Sequence, residues 1–232
     1  MHLTTRSIRW AFSPALALGL LAGPVRGETI EIEAGRDATL IEDPEGARAN
    51  GSGPYMFAGR TNEREGNARR ALVYFDLSAI PRRATVESAS LQLSLTPSNA
   101  VALQIRLHRM LADWGEGQSY SSGGGGAPAV PGDATWIHRL FDELFWVRPG
   151  GQFVPRPSAT QVVDGPGSYV WDGAGALVHD VRLWVAAPHR NFGWILLGED
   201  ARRQTSQSFA SRENPDPAVR PRLTVTYRLP PE

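Results

Sequence analysis

Cysteine is absent from the 232 residues, which removes thiol catalysis, disulfide staples and Cys-ligated zinc together. Lysine is absent too: all 24 basic side chains are arginine, balanced by 24 acidic ones for a formal net charge of +0. That balance excludes nucleic-acid binding held by bulk electrostatics. Arginine stays charged at any ordinary pH and grips carboxylates through two parallel hydrogen bonds, so this usage suits an acidic ligand. A composition bias toward Arg and Ala produces the same count. Long apolar runs are also missing. Trp10 to Leu21 is mostly apolar but is interrupted by Pro14, and neither it nor any later segment is long enough for a membrane span.

Turn and strand chemistry is plentiful. With 24 Gly, 18 Pro, 41% hydrophobic and 21% charged residues, the chain can build a packed core joined by many loops. The N-terminus has the layout of a secretory signal. Arg6 and Arg9 precede the apolar stretch, and Val25-Arg26-Gly27 places small or medium residues before a cut. Residues 1–27 are therefore expected to leave as a signal peptide, and residues 28–232 to form one domain. The mature chain would hold 21 basic against 24 acidic residues, a net of −3. Its expected location is secreted, periplasmic or cell-surface, and its core must be large enough to do without disulfides.

The stretch Arg69 to Thr96 shows the fold class most clearly. Ala71 to Leu77 is nearly all apolar with β-branched and aromatic residues at its centre, which predicts a strand covered on both faces. Ile80-Pro81 closes it, since proline lacks a ladder donor. Leu91, Leu93 and Leu95 then alternate with Gln92, Ser94 and Thr96, the period of a strand with one wet face. Further strands are expected at Thr29–Glu33 (an edge), Ala38–Ile41, Tyr55–Ala58, Val101–Leu107, Tyr169–Trp171, Phe192–Leu197, Ser208–Ser211 and Leu223–Tyr227. Val181, Trp184 and Val185 sit at helical spacing before Pro188, and Thr135 to Leu144 also reads as a short helix. Four consecutive glycines, Gly123 to Gly126, mark a flexible surface loop; they lack the Lys and Ser/Thr of a phosphate cradle. The prediction is an all-β, jelly-roll-like antiparallel sandwich with one or two short helices.

An ordered set of short motifs points further. A loop with Asn50-Gly51 and Gly59 is followed by RRALVYFDLSAIP and ATVESASLQLSL. Then come Asp113-Trp114-Gly115-Glu116-Gly117, Thr135-Trp136, Gly150-Gly151-Gln152-Phe153, Asn191-Phe192-Gly193-Trp194, Phe209-Ala210-Ser211-Arg212-Glu213 and Arg220-Pro221-Arg222-Leu223. In order and approximate spacing this resembles the DNRLRE domain family over about residues 28–228. The resemblance implies an exported, jelly-roll-like, non-catalytic module. Such modules are often found beside polysaccharide-degrading domains or in surface proteins, and some resemble a carbohydrate-binding family that takes acidic polysaccharide such as alginate. The chain departs from the pattern in its glycine-rich loop, and it is expected to stand without an attached enzyme.

Candidate site residues follow from ligand chemistry. Sugars stack on exposed aromatic rings. Trp184 and Trp194 lie among apolar neighbours and read as core, whereas Trp114, Trp136, Trp146 and Trp171 adjoin loops and are the candidates for carbohydrate contact, with a fold role as the competing reading. Gln104, Arg106 and His108 share one strand face as a polar stripe, and Arg148, with Arg69, Arg70 and Arg109, could grip uronate carboxylates. Glu42, Asp43 and Glu45 cluster in a turn whose oxygens offer a structural calcium site, without EF-hand spacing. Catalysis has little to build on. There is no H-E-x-x-H pairing and no serine elbow, and Asp113 with Glu116, an acid–base pair in principle, are two turn acids of the kind ordinarily solvated. The expected function is non-enzymatic binding of a polysaccharide, uronate-containing by the resemblance. The alternative is a structural or interaction domain engaging a cell-surface protein partner.

Overall fold

A computed structural model describes residues 27–97, 102–173, 175–199 and 201–231. The expected signal segment thus lies outside the described residues except for Gly27, as does Val101. In chain order the strands are β1 (Glu28–Glu33), β2 (Arg36–Ile41), β3 (Arg48–Asn50), β4 (Tyr55–Arg60), β5 (Ala68–Tyr74), β6 (Thr85–Leu95), β7 (Leu103–Arg109), β8 (Ala127–Pro128), β9 (His138–Leu140), β10 (Leu144–Phe145), β11 (Ala159–Val163) and β12 (Gly167–Asp172). One helix, α1 (Ala176–Ala186), intervenes before β13 (Trp194–Leu197), β14 (Gln207–Ala210) and β15 (Arg222–Arg228). Every strand pairing is antiparallel, and the fold is an all-β sandwich.

The first layer pairs β1 with β15, β15 with β6, and β6 with β12 and β14. The second runs β11–β7–β13–β5–β2–β3–β8. Strand β4 joins the layers: Tyr55 to Ala58 pair with β14, whereas Gly59 and Arg60 pair with β5. Glycine is required at that switch. Gly59 has φ +115°, and a Cβ there would meet the Thr205 carbonyl oxygen at 2.4 Å.

Strand alternation places the main core between the layers. Ala71, Val73, Leu91, Leu93, Ile105, Leu107, Trp194, Leu196, Phe209, Leu223 and Val225 meet there, closed at one end by Val181, Trp184 and Val185 of α1. The expected helix at Val181–Val185 and most of the expected strands are therefore present. The second layer also buries its other face. Leu72 of β5, Ile195 and Leu197 of β13, and Ala38 and Leu40 of β2 form a second core with Met110, Trp114, Ala134 and Trp146. Those last four belong to the long connection of residues 110–158, which roofs this layer. The all-apolar character of β5 and β13 is the result of burial on both faces.

The expected helix at Thr135–Leu144 is a hairpin instead. β9 pairs with β10 across a turn in which Asp142 has φ 61°, a left-handed conformation that ends any helix. Its Trp146 enters the second core, and its indole N–H donates to the Thr135 carbonyl oxygen at 2.9 Å. The glycine run is likewise built into the roof. Gly124 accepts a hydrogen bond from Arg69 Nε, and at Gly126 (φ +70°) a Cβ would strike Ile41 Cδ1 at 2.0 Å.

Candidate binding edge

Three of the four candidate tryptophans have no ring face to offer. Trp114, Trp146 and Trp171 are buried, and each satisfies its indole N–H on a backbone carbonyl: Trp114 on Phe192 at 2.8 Å, Trp146 on Thr135, and Trp171 on Ile105 at 3.1 Å. This corrects the expectation of ligand contact at these positions. Trp114 and Trp146 adjoin loops in sequence because the roof is made of loops, yet the roof packs on a sheet and buries them, whereas Trp171 points from β12 into the main core. Trp136 is half-buried, and the Arg70 guanidinium stacks on its ring with Cζ 4.7 Å from the centroid. Trp184 and Trp194 are core residues, as expected.

The stripe of Gln104, Arg106 and His108 does emerge on one face, the roofed face of the second layer, but the roof takes one end of it. His108 is buried. Its Nδ1 donates to the Val154 carbonyl oxygen at 2.9 Å and its ring packs edge-on against Phe153 at 5.3 Å, leaving Nε2 buried without a partner. Burial, aided by the charges of Arg106 and Arg70, lowers its pKa and favours the neutral ring with the proton on Nδ1. Arg106 is half-buried and donates to the Gly198 carbonyl oxygen at 3.1 Å, with its Nε enclosed and unpartnered. Gln104 is exposed, beside Thr160 and Val162 of β11, which lie across from Arg106 and Gln104 in the ladder.

Two clefts lie along the edge where the roof returns to the sheet, divided by the extended segment from Phe153 to Ser158. Val147, Arg148, Gly151, Gln152, Phe153 and Pro155 line one, of about 290 Å3. Arg109, Val154, Arg156, Ser158, His179 and Asp180 help to line the other, of about 380 Å3. Arg148 and Arg156 are exposed, and neither has a hydrogen bond or ion pair among the described residues. Beneath Arg156 a fixed network anchors the edge. Buried Asp180 pairs with Arg109 Nε at 2.8 Å and accepts from Ser158 Oγ at 2.5 Å and Trp194 Nε1 at 3.0 Å. The arrangement presents two exposed guanidinium groups, with Gln152 and Phe153 beside Arg148 and the Asp180 network beside Arg156. Arg148, a candidate from the sequence, lines one cleft, and Arg156, which the sequence does not single out because one exposed arginine carries no signal of its own, lines the other.

Acidic residues are committed elsewhere. Glu42 accepts from the backbone N–H groups of Asn67 and Ala68, and Asp43 from those of Glu45 and Ala47. Among the described residues no three His, Asp or Glu side chains are grouped to hold a metal ion. Asp113 pairs with Arg36 at 2.9 Å, and Glu116 with Arg212 at 3.1 Å. Arg69 is buried and paired with Glu63, so it too is structural.

A buried acid that pattern reading passed over lies beside Glu116. Asp37 of β2 is enclosed, accepts the Arg212 backbone N–H at 2.6 Å, and donates its own N–H to Glu116 at 2.8 Å. Arg212 also reaches Glu213 at 2.6 Å. The Arg212 guanidinium thus serves two carboxylates, Glu116 and Glu213, while its backbone N–H serves the third, Asp37. Burial, then the nearby charge of Glu213, raises the Asp37 pKa well above the ordinary carboxylate range, and burial with Glu116 raises that of Glu213. Sequence offers little signal for it: Asp37 stands beside Arg36, immediately before the expected strand Ala38–Ile41. No described helix is long and apolar enough to cross a membrane. Comparison with known proteins finds no matching family model and no matching curated protein.

Proposed function

We propose that the protein is an exported, non-catalytic module, akin to the DNRLRE domains it resembles, that binds an acidic polysaccharide along the edge bearing Arg148 and Arg156. The observation that carries this reading is the pair of adjacent clefts, each with an exposed arginine that has no counter-charge among the described residues. Guanidinium groups spaced along one edge match the repeated carboxylates of a uronate chain, and Gln152 and Phe153 of the first cleft supply hydroxyl and ring contacts. The engagement of Asp113 and Glu116 with arginines supports a non-enzymatic reading. Export rests on the N-terminal pattern alone.

Affinity electrophoresis tests the proposal. The protein is expected to be retarded in gels containing alginate or polygalacturonate and not in gels containing neutral glucan, and the R148A/R156A double variant to lose most of that retardation. Unchanged mobility in all uronate gels overturns the reading. The alternative, a surface interaction domain, is favoured by one feature. Phe145 is 62% exposed and Val147 77% exposed where the chain leaves the β9–β10 hairpin, an apolar pair suited to protein contact. Under that reading uronate gels leave mobility unchanged, and pull-downs lose their partner when Phe145 is replaced.

A further inference from the structure

The two edge clefts differ in the charged groups that line them. Arg148 is the one charged residue of the first, beside Val147, Gln152, Phe153 and Pro155. Three residues able to donate to an anion line the second: Arg109 at the end of β7, Arg156 on the extended segment, and His179 in the first turn of α1. The acidic residue of this second cleft, Asp180, is buried and engaged on both oxygens. Its Oδ1 pairs with Arg109 Nε at 2.8 Å, and its Oδ2 accepts from Ser158 Oγ at 2.5 Å and Trp194 Nε1 at 3.0 Å. No acidic residue stands in the first turn of α1. An anion would therefore meet no unpaired carboxylate among the lining residues.

The same network fixes Arg109. Asp180 holds its Nε, whereas its two Nη groups have no partner among the described residues and are not enclosed. The Arg109 side chain is only 17% exposed, so its free Nη edge is presented from a held stem. Arg156 is exposed with no hydrogen bond or ion pair among the described residues, and the exposed His179 ring is equally unpartnered. Ala176, His179 and Asp180 stand at i, i+3 and i+4 on α1, one face of the helix, and all three line the cleft. Donors thus arrive from three separate elements. A carboxylate accepts close to one plane, whereas a phosphate or sulfate ester presents three terminal oxygens around a tetrahedral centre.

We propose that this cleft binds a tetrahedral oxyanion, the ester group of a phosphorylated or sulfated sugar, with Arg109, Arg156 and His179 as donors and Asp180 as the positioning residue for Arg109. Each guanidinium grips two of the terminal oxygens, and the imidazole completes the set from the helix side. The cleft volume of about 380 Å3 admits the sugar that carries the group. The assignment goes beyond uronate binding and does not require it.

The test is titration of the full chain with glucose 6-phosphate, glucose 6-sulfate and glucuronate, which share a ring and differ in the anion. The His179 ring signal, identified in a 1H–13C correlation spectrum by its absence from H179Q, is expected to shift saturably with at least one ester. That ester should bind about tenfold tighter than glucuronate, and the tighter of the two esters names the source of the group. R109K, which keeps the charge and loses the fork, and R156A should each weaken ester binding about tenfold. R156A alters an exposed, unpartnered side chain, so the test stands even where R109K does not fold. Absence of a saturable shift with both esters, glucuronate binding as tightly as the better ester, or an R156A titration identical to wild type overturns the proposal. Lost retardation in uronate gels with ester binding intact removes the uronate reading alone, and retained retardation without ester binding removes this one alone.

Discussion

The two outer faces of the sandwich are built on opposite plans. On the first layer, β6 turns Ser88, Ser90, Gln92 and Ser94 outward beside Arg222, Thr224 and Thr226 of β15, a polar face open to water. On the second, the outward residues Leu40, Leu72, Ile195 and Leu197 are apolar and lie under the roof of residues 110–158. The first face needs nothing further from the chain. The second commits about a fifth of the chain to covering it, and the roof's returning edge then supplies the clefts with Arg148 and Arg156. A sheet face that must be covered thus becomes the scaffold for the proposed binding edge, whereas a face that is already wet carries none of the candidate residues.

The contrast can be broken first at Trp114. Truncation in W114A removes a fully buried ring from the second core and is expected to cost about 3–5 kcal/mol in urea unfolding, as much as W171A in the main core. A cost below about 1 kcal/mol would show that the roof is dispensable for stability.

Smaller effects should come from the two attachments of the roof, with opposite pH dependence. At Glu116, the raised pKa of Asp37 means that the folded state holds a proton the unfolded chain has released. Stability should therefore fall as pH rises from the ordinary carboxylate range toward the elevated folded value. D37N keeps an acceptor for the Arg212 N–H and should flatten that decline in melting temperature against pH. At Val154, the lowered pKa of His108 means that the unfolded chain gains a proton first. Stability should fall as pH drops below about 6.5, the ordinary histidine value. H108Q should reduce that acid loss, and hydrogen exchange should show residues 150–158 opening before the main core in wild type. An equal acid loss in H108Q would remove His108 from this role.

The smallest effect is expected on the wet face. T224A should change stability by no more than about 0.5 kcal/mol, since Thr224 lies on the open side of β15. A cost comparable to W114A would mean that the first layer is also covered, and the two-plan description would fail.

Much of this was legible in the residues. Leu91, Leu93 and Leu95 announced a half-buried strand, Ala71 to Val73 a doubly buried one, and Val181, Trp184 and Val185 a helix packed on the core. Five strands escaped because they are short or lack a period: β11 reads ATQVV, with no clean alternation, and β3, β8 and the β9–β10 hairpin have two or three residues each. Strands of that length show no alternation, and the apolar spacing around Trp136 to Leu144 imitates a helix. Trp114, Trp146 and Trp171 were misplaced for a related reason. Polar neighbours in sequence say a residue is near a loop, but not whether that loop faces water or a sheet.

The sequence by itself determined the strand-rich class, the absence of thiol chemistry and the alternation of the central strands, because these depend on composition and on a period of two along the backbone. Tertiary structure alone decided which aromatic rings are buried, which arginines remain uncompensated, and which carboxylates crowd around Arg212. Those properties are set by groups far apart in the chain, as Asp37 and Arg212 are. Burial and charge pairing depend on what a fold brings close, and local sequence records only what is adjacent.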